Sequence, residues 1–101
     1  MKALLCKTLG PAENLVIEDI EPEALAPQSV RVQVAGCGVN FPDTLVIEGK
    51  YQFKPALPFS PGAEMAGTVL ECGDKVRQFA PGDRVMGVFT HGCYREEVVV
   101  P

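Results

Sequence analysis

Asn40, Asp43 and Tyr51 are the polar side chains of this sequence best placed to converge on a small molecule. All three fall in one stretch from Gly36 to Gly67, GCGVNFPDTLVIEGKYQFKPALPFSPGAEMAG. An amide, a carboxylate and a phenol can donate and accept hydrogen bonds, so together they can orient a bound molecule. They do not form a nucleophile–base pair or a metal-ligand set. Chemistry at such a site belongs to a cofactor, with the protein orienting the reactants. Each residue also has a structural reading. Asn40 can cap a turn, Asp43 can meet the N–H groups of a helix N-terminus, and Tyr51 can pack.

The elements that must position these groups are short and β-rich. Glycine and proline punctuate β-branched runs, the pattern of a closed or nearly closed all-β domain. Strands are predicted over Ala3–Lys7, Leu15–Ile20, Ser29–Ala35, Ala66–Glu71, Arg84–Phe89 and Tyr94–Val100. In Leu15–Ile20, apolar and acidic residues alternate as in a half-buried strand. In Ser29–Ala35, Val30, Val32 and Val34 share one face, with Arg31 and Gln33 on the other. Glu71-Cys72-Gly73-Asp74 and Ala80-Pro81-Gly82-Asp83 are turn signals. One helix is predicted, Pro42–Glu48, opened by its proline and stopped by Gly49. Asn40 then ends a strand, Asp43 lies at the helix start and Tyr51 follows its stop, on a proline-stiffened loop of the kind that carries sites.

Composition excludes several classes of partner. The 101 residues suffice for one domain, and 47% of them are hydrophobic, which argues against wholesale disorder. The net charge of −4 and the lack of a basic run argue against nucleic acid. The densest charge cluster, Glu18, Asp19, Glu21 and Glu23, reads as a solvated strand end and loop. No apolar run reaches the length of a membrane span, and no signal peptide follows Met1. Cys6, Cys37, Cys72 and Cys93 form no C-x-x-C pair, which fits free thiols in a reducing, cytoplasmic setting. Cys6, Cys37 and Cys72 read as small core or strand residues. His91, beside Gly92 and Cys93, reads as a loop residue rather than a base. The ending on Val98-Val99-Val100-Pro101, without a polar tail, is expected of a domain taken from a longer chain.

The runs VRVQVAGCGVNFPD, EGKY, PFSPGAEMAGTV and APGDRVMG resemble the N-terminal domain of the medium-chain dehydrogenase/reductase superfamily, and within it the zinc-independent quinone oxidoreductases. The resemblance covers nearly the whole chain in consistent order. It implies that residues 1–101 form a mainly β, GroES-like, partly open β-barrel with one short helix. It also implies a separate Rossmann domain, absent from this chain, with NADPH and a small quinone or enone in the cleft between the two. The full-length relatives' pattern further implies a homodimer. No G-x-G-x-x-G is present: Gly36-Cys37-Gly38 is followed by Val39, Asn40 and Phe41, so the dinucleotide fingerprint is missing.

Carried over residue by residue, the resemblance places Asn40, Asp43 and Tyr51 at the mouth of the pocket as catalytic residues, with Asn40 also on the nicotinamide side. Zinc-dependent alcohol dehydrogenases carry a cysteine and a histidine where this chain has Asn40 and Ala63. A catalytic zinc needs three protein ligands, and an amide and a methyl group replace two of them. No metal is therefore expected. Cys37 lies three residues too early to substitute. Gly62, Glu64 and Gly67 keep the family's G-x-E…G spacing and read as structural, with the Glu64 carboxylate buried and hydrogen-bonded or ion-paired. Leu45 stands where many relatives have an aromatic residue, which leaves the substrate open between quinones and enoyl thioesters. The reading from another class is a GroES-like co-chaperonin that docks through the triplet Leu45-Val46-Ile47.

Overall fold

The structure, a computed structural model, describes residues 1–101. Its centre is an antiparallel pair, β3 (Val30–Cys37) and β4 (Glu64–Cys72), joined through α1 (Phe41–Ile47) and a long irregular loop. β5 (Arg84–Val88) pairs with β4 and β6 (Glu97–Val100) with β3, giving the strand order β5-β4-β3-β6. β1 (Lys2–Leu5) pairs with β2 (Val16–Asp19) in a separate two-stranded sheet. Backbone bonds from β1 and from Cys6 just beyond it tie this sheet to the segments around Tyr94 and Phe59. The Leu4 N–H donates to the Tyr94 carbonyl at 2.8 Å, and the Cys6 N–H to the Phe59 carbonyl at 2.7 Å.

The predicted strands all form, most with ends displaced by one to three residues. Val30 and Val32 are buried and Val34 partly so, on the common face expected from their alternation. They pack with Met65, Val69, Cys93 and Val98 in the main core. A second cluster of Cys6, Val46, Ile47 and Phe59 fixes the inner face of α1 to the barrel. The half-buried reading of β2 is corrected: every residue from Val16 to Asp19 is exposed. β2 pairs only with β1 and has no layer over it, so its alternation of apolar and acidic side chains meets water on both faces.

The acidic cluster is also more than a solvated loop. Glu18 pairs with Lys7 at 2.8 Å and Glu23 with Arg95 at 2.7 Å. The Glu23 carbonyl also accepts from Arg31, whose guanidinium donates to Glu71 at 2.6 Å. The segment between β2 and β3 is thereby tied to the four-stranded sheet. The carboxylates are exposed although Arg31 and Arg95 are largely buried, so each pair is modest in strength and directs the segment more than it stabilises it.

At Gly67 the β3–β4 pair leaves no room for a side chain. A Cβ there would collide with the Gln33 carbonyl oxygen and lie 2.8 Å from Val32 Cγ1. Backbone cannot swing aside as a side chain can, so bulk at this point must spread the central ladder. Gly67→Ala is expected to destabilise the fold by about 3 kcal/mol, a large part of a small domain's stability. Gly36→Ala, where a Cβ meets nothing within 4 Å, is expected to stay within about 0.5 kcal/mol of wild type. Urea denaturation of both variants checks this. Equal midpoints would show that the ladder tolerates the methyl group.

Candidate functional site

β3 and β4 leave the sheet side by side, with Cys37 opposite Met65. Three residues beyond Cys37 is Asn40, and two residues before Met65 is Ala63. The strand register therefore brings the two motifs of the sequence to one end of the barrel. Asn40 has extended backbone angles and caps α1, with Pro42 in the first turn. Gly49, at φ 73°, ends that helix, its N–H donating to the Val46 carbonyl.

Asn40, Asp43, Tyr51, Ala63 and Glu64 all line one open cleft of about 830 Å³, walled further by Val46, Phe53, Val88, Phe89 and Thr90. Within it their settings differ. Asn40 is exposed at the rim. Tyr51 is half-buried and packs against the cluster beneath α1. Ala63 presents a methyl group, and its carbonyl accepts the Phe89 N–H at 2.5 Å.

Asp43 is only 6% exposed, and its Oδ2 accepts the Asn40 backbone N–H at 2.9 Å. The same oxygen lies 2.9 Å from the hydroxyl of Tyr94, which is also 3.2 Å from the Gly38 carbonyl oxygen. Asp43 thus forms part of the cleft floor, with Oδ2 already engaged. It lines the cleft as a buried side chain turned toward the helix cap. Helix geometry is the reason: the third residue of a helix points its side chain back at the cap.

Tyr94 was legible in the sequence only as the start of a strand, yet it proves central. Its N–H donates to the Pro61 carbonyl at 3.0 Å, and its ring lies where any Cβ on Gly62 would fall. Gly62, at φ 98°, lets the chain pass under that ring. Burial, followed by the hydrogen bond and charge of Asp43, pushes the Tyr94 phenol well above its usual range, so it remains a donor. Nothing in the sequence pairs positions 43 and 94, since the contact spans 51 residues.

Glu64 departs from its expected environment. It is half-buried rather than buried, and its carboxylate takes part in none of the chain's ion pairs or side-chain hydrogen bonds. It lies against Gly38, where a Cβ would collide with it, and it faces the cleft. Opening at the end of a strand leaves it access to water, so the carboxylate needs no internal partner. Cys37 is an exposed strand-end residue rather than a core one. His91 lies in a loop, with its ring 5.3 Å from Phe53 and edge-on to Phe59 at 6.0 Å. Burial and the nearby Arg95 hold its pKa below the usual value, against Glu23. No three His, Cys, Asp or Glu side chains converge as metal ligands would. Val46 and Ile47 are each 4% exposed, so the triplet Leu45-Val46-Ile47 cannot serve as a docking segment.

The sequence profile of the alcohol dehydrogenase GroES-like domain matches residues 26–101. The chain belongs to that family. Its relatives place this GroES-like domain with the quinone oxidoreductases of the medium-chain dehydrogenase/reductase superfamily. It is 48% identical over 102 residues to quinone oxidoreductase-like protein 2 homolog of Nematostella vectensis, covering 99% of this chain and 27% of that protein. The Mus musculus quinone oxidoreductase-like protein 2 is 45% identical over 98 residues, with 97% and 27% covered. Among solved structures, the Pseudomonas syringae quinone oxidoreductase superposes with a TM-score of 0.92 at 44% identity, over 99% of this chain and 31% of that one. The Escherichia coli quinone oxidoreductase complexed with NADPH gives 0.92 at 29% identity, with 99% and 31% covered. The mainly β, partly open barrel with one helix is the GroES-like fold of these enzymes. The GroES-like domain spans about 27% of the length of its curated relatives.

Beneath the site, burial raises the Cys93 thiol from 9.0 to about 11, with Cys37, Asp43 and Glu64 adding to the shift and Arg95 opposing it. The unfolded thiol ionises near pH 9 while the folded one keeps its proton, so stability is full below pH 9 and falls toward pH 11. Tyr94, raised from its ordinary value of 10, extends the loss to higher pH. Denaturation midpoints are expected to fall by the equivalent of roughly 2 kcal/mol between pH 8.5 and 11. Cys93→Ala is expected to be less stable at pH 8 but to show a shallower alkaline slope. An unchanged slope would show that Cys93 does not govern the alkaline transition.

Proposed function

We propose that this domain is the substrate-side half of an NADPH-dependent quinone oxidoreductase that works without zinc. The observation that carries the reading is the pairing of Asn40 with Ala63 at one cleft. An exposed carboxamide and a methyl group line that cleft, and the family resemblance sets them against the positions of two zinc ligands, which neither can replace. Asn40 at the rim, with the apolar walls of Val88 and Phe89, suits the nicotinamide end of the cofactor. The chain offers no glycine-rich fingerprint for phosphates, so a Rossmann domain of the same protein would hold that part. The relatives' greater length supports such a partner, as does the exposed apolar surface near the cleft, with Phe41 at 73% and Val88 at 77% exposure.

Bound NADPH supplies the hydride to a quinone or another activated double bond. The Asn40 carboxamide donates a hydrogen bond to the acceptor oxygen, and the Tyr51 hydroxyl approaches from the far side of α1. Ala63, Val88 and Phe89 exclude water from one face, and protons reach the product from solvent. Alignment of this kind lowers barriers by roughly 7–11 kcal/mol in favourable cases, which suffices for an intrinsically reactive acceptor. Four unpaired cysteines accord with a reducing, cytoplasmic setting, while the homodimer rests on the family resemblance alone. The runner-up substrate is an enoyl thioester; Leu45 is not among the residues lining the cleft and does not decide between the two.

NADPH oxidation by the full-length protein is the test, with a quinone and an enoyl thioester in parallel, each with and without chelator. Quinone reduction that ignores the chelator is expected, together with a loss of roughly tenfold in kcat/KM for Asn40→Ala. Activity abolished by chelator would restore the zinc-dependent branch. Turnover of the enoyl thioester alone would reassign the substrate.

A further inference from the structure

We infer that Tyr94 is a positioning residue, whose hydroxyl acts through Asp43 to hold the Gly38–Asn40 turn and so aim the Asn40 carboxamide into the cleft. The role rests on the quinone-reductase reading for its purpose, but its geometry stands alone. One carboxylate oxygen, Asp43 Oδ2, receives both the Asn40 N–H and the Tyr94 hydroxyl at 2.9 Å. The hydroxyl is also 3.2 Å from the Gly38 carbonyl, so it touches the turn at two points.

Tyr94 can act as a strut because its own position is fixed from several sides. Its carbonyl accepts the Leu4 N–H at 2.8 Å and the Ser60 hydroxyl at 3.0 Å, and its N–H donates to Pro61 at 3.0 Å. Ser60 is fully buried, and the Tyr94 ring covers Gly62. The strut therefore runs from β1 and the Ser60–Gly62 segment, across the ring, to the end of β3. Oδ2 of Asp43 is engaged at 6% exposure, so it relays position rather than exchanging protons with a substrate. A phenol held protonated by burial and by Asp43 keeps donating throughout the working pH range.

Tyr94→Phe tests this in the full-length enzyme, because it keeps the ring against Gly62 and removes only the hydroxyl. Hydrogen exchange at the Asn40 amide is expected to quicken roughly ten- to hundredfold, the loss expected for a bond to a buried charged group, while the β3–β4 core amides hold their rates. The kcat for quinone reduction is expected to fall roughly tenfold with KM within twofold, since alignment and not affinity is lost. Asp43→Asn, which keeps shape but weakens acceptance of both the Asn40 N–H and the Tyr94 hydroxyl, is expected to match or exceed Tyr94→Phe in both measurements, and it serves if Tyr94→Phe does not fold. Unchanged Asn40 exchange would overturn the strut, and faster exchange with unchanged kcat would overturn its positioning role. A wild-type enzyme that reduces no acceptor would refute the reductase reading, and the positioning role with it. Faster Asn40 exchange in Tyr94→Phe would still establish the hydrogen-bonded strut in that case.

Discussion

The antiparallel register of β3 against β4 is the constraint on which the rest of the molecule depends. Cys37 opposite Met65 determines which residues emerge together at the end of the ladder, and these are Asn40 and the Ala63–Glu64 pair. A slip of one residue would turn Val30, Val32 and Val69 away from the core and expose them to water. The hydrophobic core and the cleft are therefore specified by the same pairing. Gly67 lets the two backbones approach where Val32 and Gln33 crowd, and irregularities between Arg31 and Val32 and between Val34 and Gly36 absorb the twist.

Beyond the ladder, the site loops are held by hydrogen bonds from segments distant in sequence. Gly92, Cys93 and Tyr94 donate backbone N–H groups to Ser60, Gly62 and Pro61, which stitches the last loop to the proline-rich one. That stitching gives a loop of some fifteen residues between α1 and β4 an ordered path without secondary structure of its own. The Tyr94 hydroxyl carries the same order one step further, to Asp43 and the turn before α1. A small barrel can thus present precise geometry at its rim although its main core contains only six buried residues.

Local patterns made the strands and the single helix legible in the sequence, and only the family resemblance brought the two cleft motifs together. Alternation at Val30, Val32 and Val34 reported a buried face because β3 is a central strand with a core on one side. The same signal misled at β2, because alternation reports chemistry and not whether another layer covers the strand. Asn40, Asp43 and Tyr51 were found as a group because they flank one helix. Their different settings were not legible, since the burial of Asp43 depends on a tyrosine in the last strand region. Glu64 was not legible either: the family's G-x-E…G spacing implies a buried carboxylate, whereas its strand-end position leaves it half-buried with access to water.

The division between rigid and open parts of the cleft bears on the chemistry such a site can support. One wall is fixed: α1 is pinned by Val46 and Ile47 beneath it, and its cap is tied through Asp43. The other wall is apolar, formed by Val88 at the exposed end of the edge strand β5 and by Phe89 beyond it. A cleft with one preorganised polar wall and one apolar wall suits a flat, uncharged acceptor better than a charged one. The polar groups on the fixed wall can meet a single carbonyl oxygen, while the ring plane rests on side chains that require no solvation. The one unpaired charge facing the cleft is the Glu64 carboxylate, and on the proposed reading rate enhancement comes from alignment and water exclusion. That is the regime in which holding Asn40 to within a fraction of an ångström matters most, and it accounts for a hydrogen-bonded strut beneath an otherwise open site.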